Sequence, residues 1–370
     1  MQRRILLFLL VPVTLFSAAG LAQDKPKNDD DEVLKVDTQL VDVPIVVTDK
    51  AGRPLLNLKK ANFVVYEDDK RQELAEFSTT SAPFEVALLL DTSGSTRADL
   101  QLIQRAAEQF IASLRPGDRV SVIAFNTDRA SGRAVAVSEV IRPLTEDRTA
   151  LRSALESVRT SNGTPYYDGL IQIVEKVFAR PAKDEFRGRR ALVALTDGVD
   201  STSSAGFEEA KELLLQAGII SFFIQVDTRP FFEDNLLGDC ETAIRFSQAQ
   251  IRRYYASFSA RSNIERTTDF CQLGEFERLA ISKRLYELAD TEMSALAKAS
   301  GGKVFPVGDL SEARNAFRSV AGEIGTNYSL AYYPTNDKHD GTYRKIRVEL
   351  KGVPAGATIR AREGYTAPRQ

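Results

Sequence analysis

The chain has 370 residues, with 49 lysines and arginines against 51 aspartates and glutamates, a net charge of −2. A balance this close to neutral supplies no long-range field for nucleic acid or an anionic membrane surface, and the length allows two domains with ample core. The single histidine, His339, falls in the polar turn 336–341, which leaves a Ser-His-Asp triad without a placed base.

At the N-terminus, Arg3 and Arg4 precede an apolar run over 5–16, and Gly20-Leu21-Ala22 supplies small residues before Gln23. That is the pattern of an export signal covering 1–22. The alternative is an uncleaved anchor, but the run is short for a membrane span. No cysteine follows the cleavage point and no later stretch is apolar enough to cross a bilayer. The mature chain is therefore expected to be exported, periplasmic or secreted, with no transmembrane segment. Residues 23–32 are polar and acidic and read as a disordered linker.

From 33 to 82 the pattern is β. Leu34, Val36, Thr38 and Leu40, then Val41, Val43, Ile45 and Val47, alternate with a slip between the sets, as in a bulged strand or two short ones. A turn at 49–52, a strand around Phe63–Tyr66, a turn at 67–70 and a return over 74–77 complete a hairpin-rich segment too small for its own core.

Strand and helix patterns alternate from Phe84 onward. Val86 to Leu90 is an unbroken apolar run, which fits a strand buried on both faces. It ends in Asp91-Thr92-Ser93-Gly94-Ser95. A helix follows, with Leu100, Ile103, Ala107, Phe110, Ile111 and Leu114 on one face and a stop at Pro116-Gly117. Next come a strand at 120–125, an alternating strand at 134–140 suited to an antiparallel edge, and helices at 147–159 and 166–180. A second buried run, Ala191 to Leu195, ends in Thr196-Asp197-Gly198; a helix at 205–217 and a strand at 219–226 follow. This alternation predicts a doubly wound α/β domain.

Residues 228–282 break the pattern and read as an insertion. They hold Phe231, Phe232, Tyr254, Tyr255 and several arginines, of which Arg245, Arg252, Arg253 and Arg261 suit either a partner surface or a solvated helix face. They also hold both cysteines, Cys240 and Cys271. The two can bond in an oxidising compartment, for a few kcal/mol at most, or remain thiols. A helix at 285–299, a strand at 302–306 and a helix at 309–323 then finish the α/β unit. Strands at 328–333, 343–350 and 358–361 follow. The opening and closing β segments are each too small to bury a core, so they are expected to pair into one sandwich with the α/β domain between them.

Open α/β sheets bind ligands outside the carboxyl ends of their strands. Asp91 with Ser93 and Ser95 places a carboxylate and two hydroxyls there, hard oxygen donors suited to magnesium, calcium or manganese. The plainer alternative is a capping cluster for the following helix. This D-x-S-x-S after a buried strand resembles the metal-ion-dependent adhesion site of von Willebrand factor A (VWA) domains. The resemblance calls for a threonine on a loop that opens a helix and an aspartate ending a later buried strand; Thr164, before Pro165, and Asp197 meet both demands. It implies that Ser93, Ser95 and Thr164 bind the cation directly, with Asp91 and Asp197 acting through water or hydroxyls. Mg²⁺ is the first choice, Ca²⁺ or Mn²⁺ the alternatives. A further position stays open for the carboxylate of a protein partner.

The flanks extend the likeness. Asn62 to Lys70 with Phe77, Tyr328 to Pro334, Asp340-Gly341, Arg344 to Val348 and Arg360 to Tyr365 resemble exported bacterial VWFA-related proteins, abundant in acidobacteria. The implied layout is a β-sandwich part at 33–82, a Rossmann-like VWA domain at 83–325 with the insertion at 228–282, and a second sandwich part at 326–367. Asp69 stands where that family has glycine, which predicts a strained or different turn. The expected function is binding of a protein partner through the cation, not catalysis. A metal-assisted hydrolase using the same ion as Lewis acid, and a structural protein with a non-functional site, are the alternatives. Residues 126–128 are read as a loop that could line the site, and Arg180, Lys183, Arg187, Arg189 and Arg190 as a solvated loop. Phosphate loops, zinc spacings and nucleophile elbows are absent from the sequence.

Overall fold

The strand β5 (Glu85–Leu90) is buried along its whole length and sits inside a six-stranded sheet. The computed structural model describes residues 40–79, 81–94, 99–129, 134–258 and 269–369. The export segment 1–22, the linker 23–32, the first strand residues from Leu34 to Thr38 and the site residue Ser95 lie outside the described residues.

The side chains of β5 alternate between two cores, as the period of a strand demands. Val86, Leu88 and Leu90 pack with Phe110 of α1 (Leu100–Ser113) and Leu151 of α2 (Arg148–Ser157), together with Phe317 of α8 (Ala313–Gly325). Ala87 and Leu89 pack on the other face with Leu170 of α3 (Tyr166–Gln172), Leu214 of α4 (Phe207–Gln216) and Leu296 of α7 (Glu275–Ser300). The sheet order is β10 (Lys303–Val307), β9 (Ile220–Val226), β8 (Arg190–Thr196), β5, β6 (Arg119–Asp128) and β7 (Val135–Thr145). All pairs are parallel except β6 with β7, so the alternating strand is an antiparallel edge. The chain runs outward from β5 on one side and from β8 on the other. The topological switch point therefore falls between these two strands, where a doubly wound sheet opens a crevice at its carboxyl edge.

The flanks form two four-stranded sheets. One contains β13 (Thr358–Ala361), β1 (Val41–Thr48), β11 (Tyr328–Tyr332) and β4 (Leu74–Ser78); the other contains β14 (Gly364–Thr366), β12 (Tyr343–Leu350), β2 (Phe63–Glu67) and β3 (Lys70–Gln72). Each sheet draws strands from both ends of the described chain, and Val43, Ile45, Val65, Leu330, Tyr332 and Ile346 share one core. The expected small sandwich around a doubly wound domain is thus present.

Three expectations need correction. The helix expected at 285–299 begins at Glu275 and runs 26 residues. Its first turns bury Arg278 and Ser282 beside Ile281 and Leu285, and those two polar residues hide the apolar period in the sequence. The helix expected at 166–180 closes at Gln172 and widens into a π-type turn over Ile173–Val177, where Phe178 N donates to Ile173 O (2.9 Å). The arginines read as one solvated loop are divided: Arg180 is exposed, but Arg189 is fully buried, and Arg190 reaches Glu85 at 2.9 Å.

The insertion is built from α5 (Arg229–Asp234), α6 (Gln248–Ala256) and the first turns of α7. Cys240 and Cys271 are bonded to each other, and closure of their loop stabilises by about 4 kcal/mol in the chain-entropy account. Arg278 donates to the carbonyls of Leu236, Gly238 and Leu273 and lies 4.3 Å over the Phe270 ring. Arg253, read as part of a solvated or partner-facing surface, instead pairs with Glu292 of α7 at 2.6 Å and covers the Tyr167 ring.

The turn between β2 and β3 places both Asp68 (φ 45°) and Asp69 (φ 62°) in the left-handed region, which explains why glycine suits the second position. Asp68 gains a compensating bond, accepting from Lys345 N (2.9 Å). Among the described residues Asp69 has only a surface ion pair with Arg347, which contributes little. Asp69→Gly is expected to raise the unfolding free energy by about 0.5–1 kcal/mol, readable as a higher urea midpoint at unchanged slope; a lower midpoint contradicts it.

Asp42, in β1, has a buried carboxyl oxygen with no hydrogen-bond partner among the described residues. Burial raises its pKa to about 6, against the opposing pull of Arg187 and Arg362. The folded state therefore holds a proton that the unfolded state has released. The stability this group contributes is complete below pH 4 and is lost as pH rises to about 6. Asp42→Asn is expected to remove that slope and to stabilise by roughly 2 kcal/mol at pH 7.5. Urea unfolding from pH 4 to 8 tests this, and a slope unchanged by the substitution contradicts it.

Candidate metal centre

Two carboxylates stand at the switch point because β5 and β8 are neighbours that both end in Asp after an apolar run. Asp91 N donates to Leu195 O (2.9 Å), extending the ladder by one residue. The Asp91 carboxylate is then fixed from both sides: Oδ1 accepts from Ser93 N (3.0 Å) and Oδ2 from Thr196 Oγ1 (2.7 Å). Asp91 is 2 % exposed.

Asp197 turns the chain at the end of β8. Its Oδ1 accepts from Val199 N (2.9 Å) across Gly198, whose φ of 73° is natural only to glycine. Its Oδ2 accepts from Thr228 Oγ1 (2.5 Å), which also shares a hydrogen bond with the Tyr286 hydroxyl (2.8 Å). A chain of hydroxyls thereby links the carboxylate to α7.

Thr164 arrives on a third segment, stitched to the strand ends. Ser161 N donates to Thr92 O, Thr92 Oγ1 to Phe125 O, and Asn162 N to Thr127 Oγ1. Residues 126–128 are thus the end of β6 and act as the mooring of this loop. Thr164 N donates to Ser201 Oγ (2.8 Å), and Ser201 N to Thr164 O (3.0 Å). Asp200 caps α3 through Tyr166 N (2.9 Å). Gly163 leaves no space for a side chain, since a Cβ there would lie 2.8 Å from Thr202 Cγ2. The Thr164 hydroxyl makes no hydrogen bond among the described residues.

Ser93, Thr164 and Asp197 line one cavity of about 350 Å³. Three of the five expected ligands therefore share a space, Asp91 is buried and bonded to Ser93 N without lining that space, and Ser95 lies outside the described residues. Thr196, Ser201 and Thr228, which hold the carboxylates and the threonine in place, escaped the sequence reading. Thr196 directly precedes Asp197 and could have been found; Thr228 opens the insertion and carries no motif.

The electrostatics suit a cation. Burial, and then the negative charge of Asp91, push the Asp197 pKa up to about 7. Burial also raises Asp91, while hydrogen bonds from Ser93 and Thr196 resist the shift. Two buried carboxylates beside two hydroxyls form a hard, oxygen-only donor set, and a divalent charge among them would reverse their mutual repulsion. No group of three or more His, Cys, Asp or Glu able to hold a metal occurs among the described residues. The cation would depend on hydroxyls as much as on carboxylates.

The sequence profile of the von Willebrand factor type A domain matches residues 86–199, the interval from β5 to the turn after Asp197. Among curated proteins, none matches the sequence. Similar solved structures include the von Willebrand factor type A protein from Catenulispora acidiphila, with 12% identity, 90% of this chain and 75% of that chain covered, and a TM-score of 0.42. Proximal thread matrix protein 1 from the mussel byssus is similar at 13% identity, with 73% of this chain covered and a TM-score of 0.42. The same mussel protein with a zinc-occupied MIDAS motif is similar at 15% identity, with 69% of this chain and 48% of that chain covered and a TM-score of 0.40. The chain spans about half the length of the mussel protein.

Proposed function

We propose that this protein binds a divalent cation, Mg²⁺ ahead of Ca²⁺ or Mn²⁺, and engages a carboxylate-bearing protein partner through it. Ser93, Ser95 and Thr164 would hold the ion, with Asp91 and Asp197 behind them. The bound ion would supply an electrophilic point for a partner's oxygen. The observation that carries this reading is that Ser93, Thr164 and Asp197, from three separate segments, line one cavity at the switch point of the sheet. Together with the matched profile over 86–199, the likeness of the flanks to exported VWFA-related proteins supports a periplasmic or secreted location. No helix among the described residues is long and apolar enough to cross a membrane.

Binding is preferred to hydrolysis because the resemblance implies a cation left open to a partner's oxygen, and the other acidic side chains near the helix openings are engaged by the backbone. Asp200 and Asp168 are spent on backbone N–H groups, and His339 sits between β11 and β12 of the sandwich. A pull-down from an envelope extract in Mg²⁺, eluted with a chelator, is expected to release proteins from wild type and not from Thr164→Val. The same proteins released from both would contradict the reading.

A further inference from the structure

The insertion forms one wall of the cavity that holds the candidate cation ligands. Besides Ser93, Thr164 and Asp197 the lining includes Phe232 of α5, Ile244 and Phe246 from the segment before α6, and Leu285 of α7, with Ser282 and Tyr286 of the same helix. Phe232 and Phe246 pack at 5.5 Å between ring centres, and Phe246 packs on Phe270 at 5.9 Å, so the wall is tied into the insertion's own core. The disulfide and Arg278 hold the same segment down. About 350 Å³ lies at the small end of ligand pockets, which are mostly apolar with a few polar groups that fix orientation.

Two of the polar side chains in the lining are N–H donors supplied by the insertion. Gln250 is 6 % exposed; its Oε1 accepts from Ser247 N (2.9 Å), which fixes the amide orientation, and its Nε2 makes no hydrogen bond among the described residues. Arg245 is exposed and anchored by Nε to Cys240 O (3.0 Å), and its terminal nitrogens make no hydrogen bond among the described residues. Both residues line the cavity. A buried amide N–H and a guanidinium are complementary to an anion, whereas the aromatic and aliphatic wall is complementary to hydrocarbon.

We infer that the insertion converts the cation face into a slot for a carboxylate carried on a short apolar stem. The carboxylate meets the cation end and the Gln250 and Arg245 donors, and the stem lies against Phe232, Ile244 and Phe246. This inference rests on the cation reading above and specifies its ligand. The stem could belong to a free organic acid or to the last residue of a protein chain, because the recognised chemistry is the same.

Calorimetry on the whole protein in saturating Mg²⁺ tests it, with acetate, hexanoate and phenylacetate as probes. A peptide ending in phenylalanine with a free carboxylate, and the same peptide amidated, serve as the second arm. Hexanoate and phenylacetate are expected to bind at least about tenfold more tightly than acetate, because each buried methylene adds affinity. That preference should disappear in Ile244→Asn, which adds no charge beside the cation, whereas Arg245→Gln should weaken all three acids alike and keep the preference, with Mg²⁺ still bound in both. Tighter binding of the free acids than of the peptide assigns the slot to small acids; tighter binding of the free-carboxylate peptide, lost on amidation, assigns it to chain ends. Equal affinity for acetate and phenylacetate, with Mg²⁺ bound, overturns the slot and leaves the cation reading intact. Absence of Mg²⁺ binding overturns the cation reading and the slot with it.

Discussion

Thr164→Val is expected to weaken Mg²⁺ binding by about 100-fold or more while leaving the metal-free protein as stable as wild type. The reason is the state of one hydroxyl. Thr164 is held by its backbone, through Ser201 Oγ and Ser201 N, and its side-chain oxygen bonds to nothing among the described residues. Valine keeps the shape and removes only that donor. Loss of a partner outside the coordination sphere typically costs 10–100-fold, and loss of a direct ligand should cost no less. Asp197→Asn should behave differently. It should abolish Mg²⁺ binding yet stabilise the metal-free protein above pH 7. The folded-state pKa of Asp197 is raised to about 7 by burial and by Asp91, so its contribution to stability is complete below the unfolded pKa and lost as pH rises through about 7. The asparagine amide can still accept from Val199 N, and Thr228 can turn its hydroxyl to accept instead. Titration of Mg²⁺ into each variant, paired with urea unfolding at pH 8 without metal, separates the two effects. A Thr164→Val protein that binds Mg²⁺ like wild type contradicts the ligand assignment.

Arg189→Leu is expected to destabilise the protein by about 3–5 kcal/mol, the largest loss from a single side chain outside the hydrophobic cores. Arg189 is fully buried. It donates from Nε to Pro83 O (3.1 Å), from one terminal nitrogen to Thr79 O (3.3 Å) and Asn327 O (3.0 Å), and from the other to Ala82 O (2.7 Å). Its plane lies 4.3 Å over the Phe84 ring. Residues 79–84 and 327 are the two places where the chain passes between the sandwich and the central sheet, so one guanidinium ties both crossings together. Burial lowers its pKa to about 10, which still leaves it charged at neutral pH. Arg189→Lys should recover little of the loss, because a single ammonium cannot span four carbonyls arranged around a planar fork. Denaturant unfolding measures both variants, and a lysine variant within about 1 kcal/mol of wild type would contradict this account.

Arg189 also marks where the sequence stops being readable. Its neighbours Arg187 and Arg190 carry ion pairs to Glu76 and Glu85, and a run of arginines in a polar stretch looks the same whether one of them is buried or all are solvated. Only the convergence of four distant carbonyls decides it. The same limit applies to α7, where Arg278 and Ser282 interrupt the apolar period although both are buried, and to Arg253, whose partner Glu292 lies on another element. The strand β14 was too short to leave a period. By contrast β5 and β8 were legible because strands buried on both faces leave unbroken apolar runs, and the residue that ends each run must sit at the sheet's carboxyl edge. Asp91 and Asp197 could be placed at that edge for that reason. Thr164 was picked out by the resemblance to the adhesion site, with Pro165 marking the opening of α3. The apolar side chains that share the cavity with them had no sequence signature. It depends on how the insertion folds back over the sheet edge, and Phe232, Ile244, Phe246 and Leu285 are brought together only by that tertiary path.

The central claim is that three segments of this chain hold one divalent ion in common. Anomalous diffraction from crystals soaked in Mn²⁺ tests it most directly. The account predicts a single strong peak in the cavity lined by Ser93, Thr164 and Asp197, within about 2–2.5 Å of the two hydroxyl oxygens, as befits a hard cation with oxygen ligands. A cavity without a peak, or a peak bound elsewhere while these hydroxyls face only protein, would contradict it.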